Sequence, residues 1–451
     1  MRMLKNLKAP VACATAVLAL GACDILDVSN PNNLVEEDIE QEAAASAVAN
    51  GALRLSANAI SGIWQPYLVA SDEMFWIGSR DAWLQLDQGF VGNPDNEFTD
   101  GFFPNVGQAR WMGDKAIEIL EGHVADNPDN DSFKTDLARA YLFSGMMYMV
   151  IGEVQEDFAF SDKIEAGPPV GPDQMFTVLD DAIDKLSTAV TLARELGDSD
   201  LEMRALALRA RAYHSRAIWD KLNPTASGSD PLVSSSMAAA DANSVISMAG
   251  GVGADWSYEL TYSSSSTDND MAAWINDRKE NQFDQTLVTL SADNDVTGVA
   301  LMDPIDGIED PVVTWKMNKW KGGDLANPGN SYPPLDITST RLMHLILAEE
   351  ALAGGDETGF ATHINHVRAM DGLSDYEGQI PAIQILEHER RVNLLIMGLR
   401  LGDMYRFGTQ DPDWESASDA VQTPGEMLPI TITEIRANCY LNDQTCPGGG
   451  G

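Results

Sequence analysis

The 451-residue chain carries 69 Asp and Glu against 29 Lys and Arg, a formal charge of −40. Such acidity excludes nucleic acid as a partner, because phosphate contacts require Lys and Arg, and it excludes adsorption of the folded body to anionic lipid. The length allows one large domain or two ordinary ones, and no long low-complexity linker divides the chain.

Arg2, Lys5 and Lys8 precede an apolar run from Ala9 to Leu20, and Gly21-Ala22-Cys23 follows. A basic start, a short apolar stretch and small residues before a cleavage point read as a secretory leader over 1–22. The run is too short for a membrane span, which needs roughly 20 apolar residues. Leu20-Gly21-Ala22-Cys23 resembles the lipobox of bacterial lipoproteins, which implies acylation of Cys23 and a membrane anchor through its lipid. Cys13 leaves with the leader and Cys23 is consumed by lipid. Cys439 and Cys446 remain in the tail and are expected to pair as a disulfide in an exported protein. No His lies in that tail, so a metal site there lacks ligands.

Helices are predicted over Ala43 to Ser61, Ala109 to Leu120, and around Leu137, Tyr141, Gly145 and Tyr148, where Gly145 and Gly152 allow close helix approach. Phe176, Leu179, Ile183, Leu186, Val190 and Ala193 recur by three and four, the clearest amphipathic stripe in the chain. Ala205 to Trp219 and Ser234 to Ala249 add two more helices. Trp111 and Trp219, on helices, are expected in the core. No strict 34-residue period appears, so periodicity alone does not establish a helical repeat.

Two stretches break the helical pattern, at about 62–108 and 222–340. They are rich in Gly, Asn, Asp, Ser and Pro and hold Trp64, Trp76, Trp83, Trp256, Trp274, Trp315 and Trp320. Aromatic faces on loops suit a sugar ring, whose C–H edges pack on the π face while Asn, Asp and Arg bind its hydroxyls. The competing reading, that each Trp plugs its insertion onto the helices, is the better one for any single Trp.

Arg341 to Gly408 carries the most specific pattern. One helix places Leu342, Leu345, Ile346, Glu349 and Leu352 on one face, and Gly354-Gly355 stops it. The next carries Phe360, Ile364 and Val367. A third helix is predicted with Ile385, Glu389, Val392, Ile396 and Leu399 in phase. Glu349 and Glu389 lie within apolar stripes. A buried carboxylate without a partner is costly, so they are expected to pair with Arg368, Arg390 or Arg400 rather than serve as ligand-binding groups.

Ala348-Glu349-Glu350-Ala351-Leu352, Ile364-Asn365-His366-Val367-Arg368, Glu389-Arg390-Arg391 and Gly398-Leu399-Arg400-Leu401-Gly402-Asp403-Met404-Tyr405-Arg406-Phe407-Gly408 come in the order and approximate spacing of the motifs of the SusD/RagB family, which the chain resembles. Asn393 and Leu399 stand where that family often has Glu and His. The resemblance implies a mainly α-helical, tetratricopeptide-like scaffold of helical pairs with long loop insertions. It also implies a tether over 23–34, a single domain over 35–451 and a tail over 409–451. Its function would be a cell-surface lipoprotein of the outer membrane that captures an oligosaccharide or peptide for a TonB-dependent, SusC-like transporter. Ser71 to Trp83 resembles the family's first binding loop. Candidate ligand contacts are therefore Trp76, Arg80 and Trp83, with Trp274 and Trp320 from the second insertion. A protein-binding scaffold without a small ligand is the alternative from another class.

No nucleophile elbow, phosphate-binding Gly-Lys loop or zinc-protease His pair is present, so no enzyme activity and no cofactor are expected. His363 and His366, three apart on a helix, read as a solvated face with no third ligand at readable spacing, and no metal is expected.

Overall fold

The structure, a computed structural model, describes residues 39–162, 165–223, 230–321, 330–442 and 444–446. The leader, Cys23 and the tether lie outside the described residues. The chain divides into two compact units, 1–45 and 46–451, and the second contains the scaffold.

Long helices dominate, with a few short strands. α1 (Ala45–Val69) runs past its predicted end. After it come β1 (Met74–Trp76), α2 (Asp81–Asp87), α3 (Glu97–Asp126), α4 (Asp131–Val154), α5 (Phe176–Leu196), α6 (Ser199–Leu222) and α7 (Ser236–Met248). α3 packs on α4, α4 on α5, α5 on α6 and α6 on α7. Caps explain where these helices start. Asn96 accepts from the Phe98 and Thr99 N–H groups, Asn130 from Ser132 and Phe133, and Asp198 from Leu201. Each satisfies donors that a helix start leaves free. Gly197, at φ 69°, ends α5 in the left-handed conformation.

Leu179, Ile183, Leu186, Val190 and Ala193 of the α5 stripe are buried, and Phe176 at its start is half-buried. The glycines of α4 receive that face. A Cβ on Gly145 would lie 2.8 Å from Leu186 Cγ, and one on Gly152 2.6 Å from Leu179 Cγ. These positions admit only a hydrogen because α4 and α5 touch there.

The chain continues through β2 (Ser257–Leu260), β3 (Asn281–Phe283), β4 (Val288–Leu290), β5 (Val296–Val299), α8 (Pro311–Lys321) and β6 (Leu335–Ser339). The strands form three antiparallel pairs, β1 with β3, β2 with β6 and β4 with β5. α9 (Thr340–Ala353) and α10 (Glu357–Met370) form another helical pair, with α7 and α11 (Ala382–Asn393) against α9. α12 (Arg400–Phe407) and α13 (Ile432–Ala437) follow. Cys439 and Cys446 are joined by a disulfide, their Cα atoms 5.1 Å apart.

Two sequence expectations need correction. The first insertion is irregular only between α1 and α3, because both helices run into it. The third helix of the Arg341–Gly408 region does not reach Leu399. It ends at Asn393, and Ile396 takes a left-handed φ of 64° in a buried turn before α12. The in-phase apolar residues are buried as a turn rather than as helix, because both forms satisfy the same burial.

Candidate functional site

The two insertions meet at the β1–β3 pair. Trp76 lies opposite Asn281, and Phe75 opposite Gln282. Glu280 ties the strands together. Its carbonyl accepts from the Ile77 and Gly78 N–H groups, and its carboxylate accepts from the backbone of Ser79 at 2.8 Å and of Arg80 at 3.1 Å. Gly78 is required here, since a Cβ would come within 2.7 Å of Glu280 Cα. The Glu280 N–H donates to the Trp274 carbonyl, which fixes Trp274 beside the first insertion. Loops about 200 positions apart thus build one surface.

An aromatic cluster lies beneath it. Trp83 stacks on Phe98 with centroids 3.7 Å apart, and Trp274 meets both edge-on, at 5.5 and 4.9 Å. Exposed Arg278 lies 4.2 Å over the Trp274 ring. Exposed Arg80 lies 5.6 Å over Phe98 and pairs with Glu97. Trp76 and Trp274 are half-buried, and Arg278 covers part of the Trp274 ring.

The structure overturns two predicted ligand contacts. Trp83 is fully buried and Trp320 is 2% exposed. Trp83 is the stacking partner that holds Phe98 and Trp274, and Trp320 packs edge-on to Phe283 at 6.0 Å. Neither offers a face to a ligand. The exposed aromatic of α8 is Trp315, at 43%, with Lys316, Lys319 and Arg341 all within 6 Å of its ring. Five residues along a helix leave two side chains about 140° apart around its axis, so Trp315 and Trp320 face different surroundings. Trp111 and Trp219 are half-buried and line clefts rather than filling the core.

Under the surface runs a buried ionic network. Glu349, fully buried, pairs with Arg406, contacts His214 at 3.1 Å and Arg390 at 3.5 Å, and accepts from the Val233 N–H. Against the effect of burial, Arg406 and His214 hold its carboxyl well below the usual range. Glu389 pairs with Arg368 at 2.7 Å, and Arg368 also binds Asp303 at 2.8 Å. Arg390 binds Asp403, and Arg400 binds Asp72 at 2.6 Å. Asp72 sits beside Glu73. Burial, and then the charge of Asp72, push the Glu73 carboxyl up to about 8. Its Oε1 accepts from the Ile396 N–H at 3.2 Å, which pins the left-handed turn. The network joins β1's approach, α6, α9, α10, α11 and α12, and so positions the junction of the insertions.

No protein-family model matches the chain, and no curated protein matches it at a significant level. Solved structures do. A SusD superfamily protein from Bacteroides thetaiotaomicron aligns with a TM-score of 0.62 at 14% identity, covering 88% of this chain and 98% of that one. A SusD-like carbohydrate binding protein from Bacteroides vulgatus aligns at 0.52 and 14%, over 81% and 83%. A laminarin binding SusD-like protein aligns at 0.58 and 14%, over 91% and 99%. The fold is that of the SusD superfamily.

Within this SusD-like scaffold, α9 and α10 bring together three imidazoles that sequence spacing separates. The expected solvated face of His363 and His366 is corrected, since both are half-buried against His344. His344 Nε2 donates to the Val252 carbonyl at 3.1 Å, and its Nδ1 therefore accepts from His363 Nδ1 at 3.2 Å. Burial, then the neighbouring His363 and His366, lower the His344 pKa to about 4. His344 stands 19 positions before His363, and only the antiparallel helical pair brings them together. Elsewhere Asp303, Asp310 and His388 also converge. Asp303 there is engaged by Arg368, and Asp310 caps α8 through the Val312 and Val313 N–H groups. Among the described residues, no helix is long and apolar enough to cross a membrane.

Proposed function

We propose that this chain is a cell-surface binding lipoprotein, anchored through acylated Cys23. It would capture an oligosaccharide and pass it to a TonB-dependent, SusC-like outer-membrane transporter. The observation that supports the reading most directly is the junction of the insertions, where half-buried Trp76 and Trp274 lie with exposed Arg80 and Arg278 on a SusD-type scaffold. The neighbours named for laminarin and carbohydrate binding favour a glycan over a peptide. Binding rather than catalysis suits the surface, because flat aromatic faces flanked by guanidiniums hold a ring without polarising its glycosidic bond.

The test is a panel of soluble glycans and peptides measured by calorimetry against the parent, Trp76→Ala and Trp274→Ala. Stacking on a Trp face buries apolar area at roughly 25 cal/mol per Å². The expected loss is about 1–3 kcal/mol per ring, or about ten- to hundredfold in affinity. Trp83→Ala is not equivalent, since it removes a buried support. If both exposed-ring variants bind the best glycan as the parent does, the junction is not the site. Binding of peptides alone would move the ligand class, and capture of folded proteins alone would favour an interaction scaffold.

A further inference from the structure

A second cleft, of about 500 Å³, lies between α1, α4, α6 and β2. Its size is that of an ordinary ligand site. Its wall holds three arginines from three helices, Arg54, Arg139 and Arg204.

Two of the arginines are each paired with one carboxylate and held in a fixed orientation, and the third, Arg54, is not. Arg139 lies 5.7 Å over the Phe143 ring and Arg204 5.1 Å over Tyr258, so both planar groups are braced from one side. Each takes one carboxylate from its own helix. Arg139 Nη1 binds Asp136 at 3.0 Å, and Arg204 Nη2 binds Asp200 at 2.6 Å. Arg139 Nη2 donates to Asn50 Oδ1 at 2.6 Å. A guanidinium has five N–H donors, so these contacts orient the forks and leave donors over. Arg54 is exposed and donates through Nε to the Ser266 carbonyl at 3.1 Å. Among the described residues no carboxylate lies within ion-pair distance of it. The carboxylate lining the cleft, Glu259, is itself paired with Lys319 at 2.6 Å.

We infer that this cleft binds the oxyanions of an acidic saccharide, with carboxylate or sulfate groups received by Arg54, Arg139 and Arg204. Fork-shaped guanidiniums match both oxyanions bidentately. Phe143 and Tyr258, both buried, hold the guanidiniums of Arg139 and Arg204 in place from beneath. The saccharide part of this inference rests on the function proposed above; the oxyanion part does not.

The test uses the whole chain in detergent micelles. Its probes are trigalacturonate, the methyl ester of the same trisaccharide, and a sulfated galactose trisaccharide. At low salt at least one charged probe is expected to bind about tenfold or more tightly than the ester, with the difference shrinking as salt screens it. Which charged probe prefers the cleft identifies the oxyanion. Arg54→Ala and Arg204→Gln should each erase the preference, and Arg54, being exposed, can be replaced without unfolding the chain. As a second measurement, inorganic sulfate and free galacturonate should protect Arg54 from phenylglyoxal, read by mass spectrometry. Equal affinity for charged and esterified probes, or a preference kept in both variants, overturns the inference. If neutral glycans bind through Trp274 while no charged preference appears, the cleft fails alone. If no saccharide binds but sulfate protects Arg54, the oxyanion site stands and the saccharide reading falls.

Discussion

At the scale of single residues, the scaffold is held by charges placed where charges are expensive. Glu389 is 1% exposed and its carboxylate meets Arg368 at 2.7 Å and the Asn393 amide at 3.0 Å. Asn393, where related motifs carry Glu, relays that contact to Arg341 at 2.9 Å. Removing one member of a buried pair costs about 3–5 kcal/mol, because the other charge stays buried. Arg368 keeps a second counterion in Asp303. Glu389→Ala should therefore destabilise by about 3 kcal/mol, at the lower end of that range. Urea unfolding at neutral pH measures it, and an unchanged midpoint would mean that Asp303 alone satisfies Arg368. Sequence reasoning found that Glu389 and Glu349 needed partners. It did not find Arg406 or His214 for Glu349, since they lie 57 positions after it and 135 before it, and spacing carries no signal over such separations.

At the scale of elements, the helices were readable wherever one face alone is buried. The α5 stripe and the glycines of α4 follow from periodicity and side-chain size. What failed was the continuation of α11. Ile385, Val392, Ile396 and Leu399 are all buried, and a hydrophobic period cannot distinguish a helix from a buried turn. The break is set by contacts remote in sequence. Glu73 receives the Ile396 N–H, and Gly398 lies against Trp64 at φ 67°. A Cβ on Gly398 would sit 2.5 Å from Trp64 Nε1 and in a backbone conformation that L residues avoid. Gly398→Ala is expected to cost about 2–5 kcal/mol through strain and overpacking together. Thermal unfolding reads this, and a loss below 1 kcal/mol would show that the turn can shift away from Trp64. The ligand surface was half legible for the same reason. Composition marked the Trp-rich loops, but which rings face outward depends on Phe98 and Phe283, which claim Trp83 and Trp320 for the interior.

At the scale of the whole molecule, an acidic chain that buries carboxylates should respond to pH in a direction set by those groups. Burial, followed by the charge of Asp72, puts Glu73 at about 8. Burial, softened by the Trp76 N–H, puts Asp87 at about 8, and burial again puts Asp411 at about 7. All three lie above their unfolded values, so the folded state holds protons that the unfolded state has released. Their contribution is fully present below the unfolded pKa and is lost as pH rises through the folded one. His344, lowered to about 4, acts oppositely, and its contribution is lost as pH falls below about 6.5 toward 4. The two effects oppose each other in the acid range. Above about pH 6.5 His344 is neutral in both states and the carboxylates act without it. The melting temperature should therefore fall between about pH 6.5 and 8, with Glu73 alone contributing about 1–2 kcal/mol of the loss. Glu73→Gln supplies a neutral side chain whose oxygen can still accept from Ile396, so it should flatten that part of the profile, matching the parent at about pH 4 and exceeding it increasingly as pH rises toward about 8. A variant whose profile falls as steeply as the parent's would mean that Glu73 is ionised in the folded protein, compensated by Arg400 and Arg391 rather than by a proton.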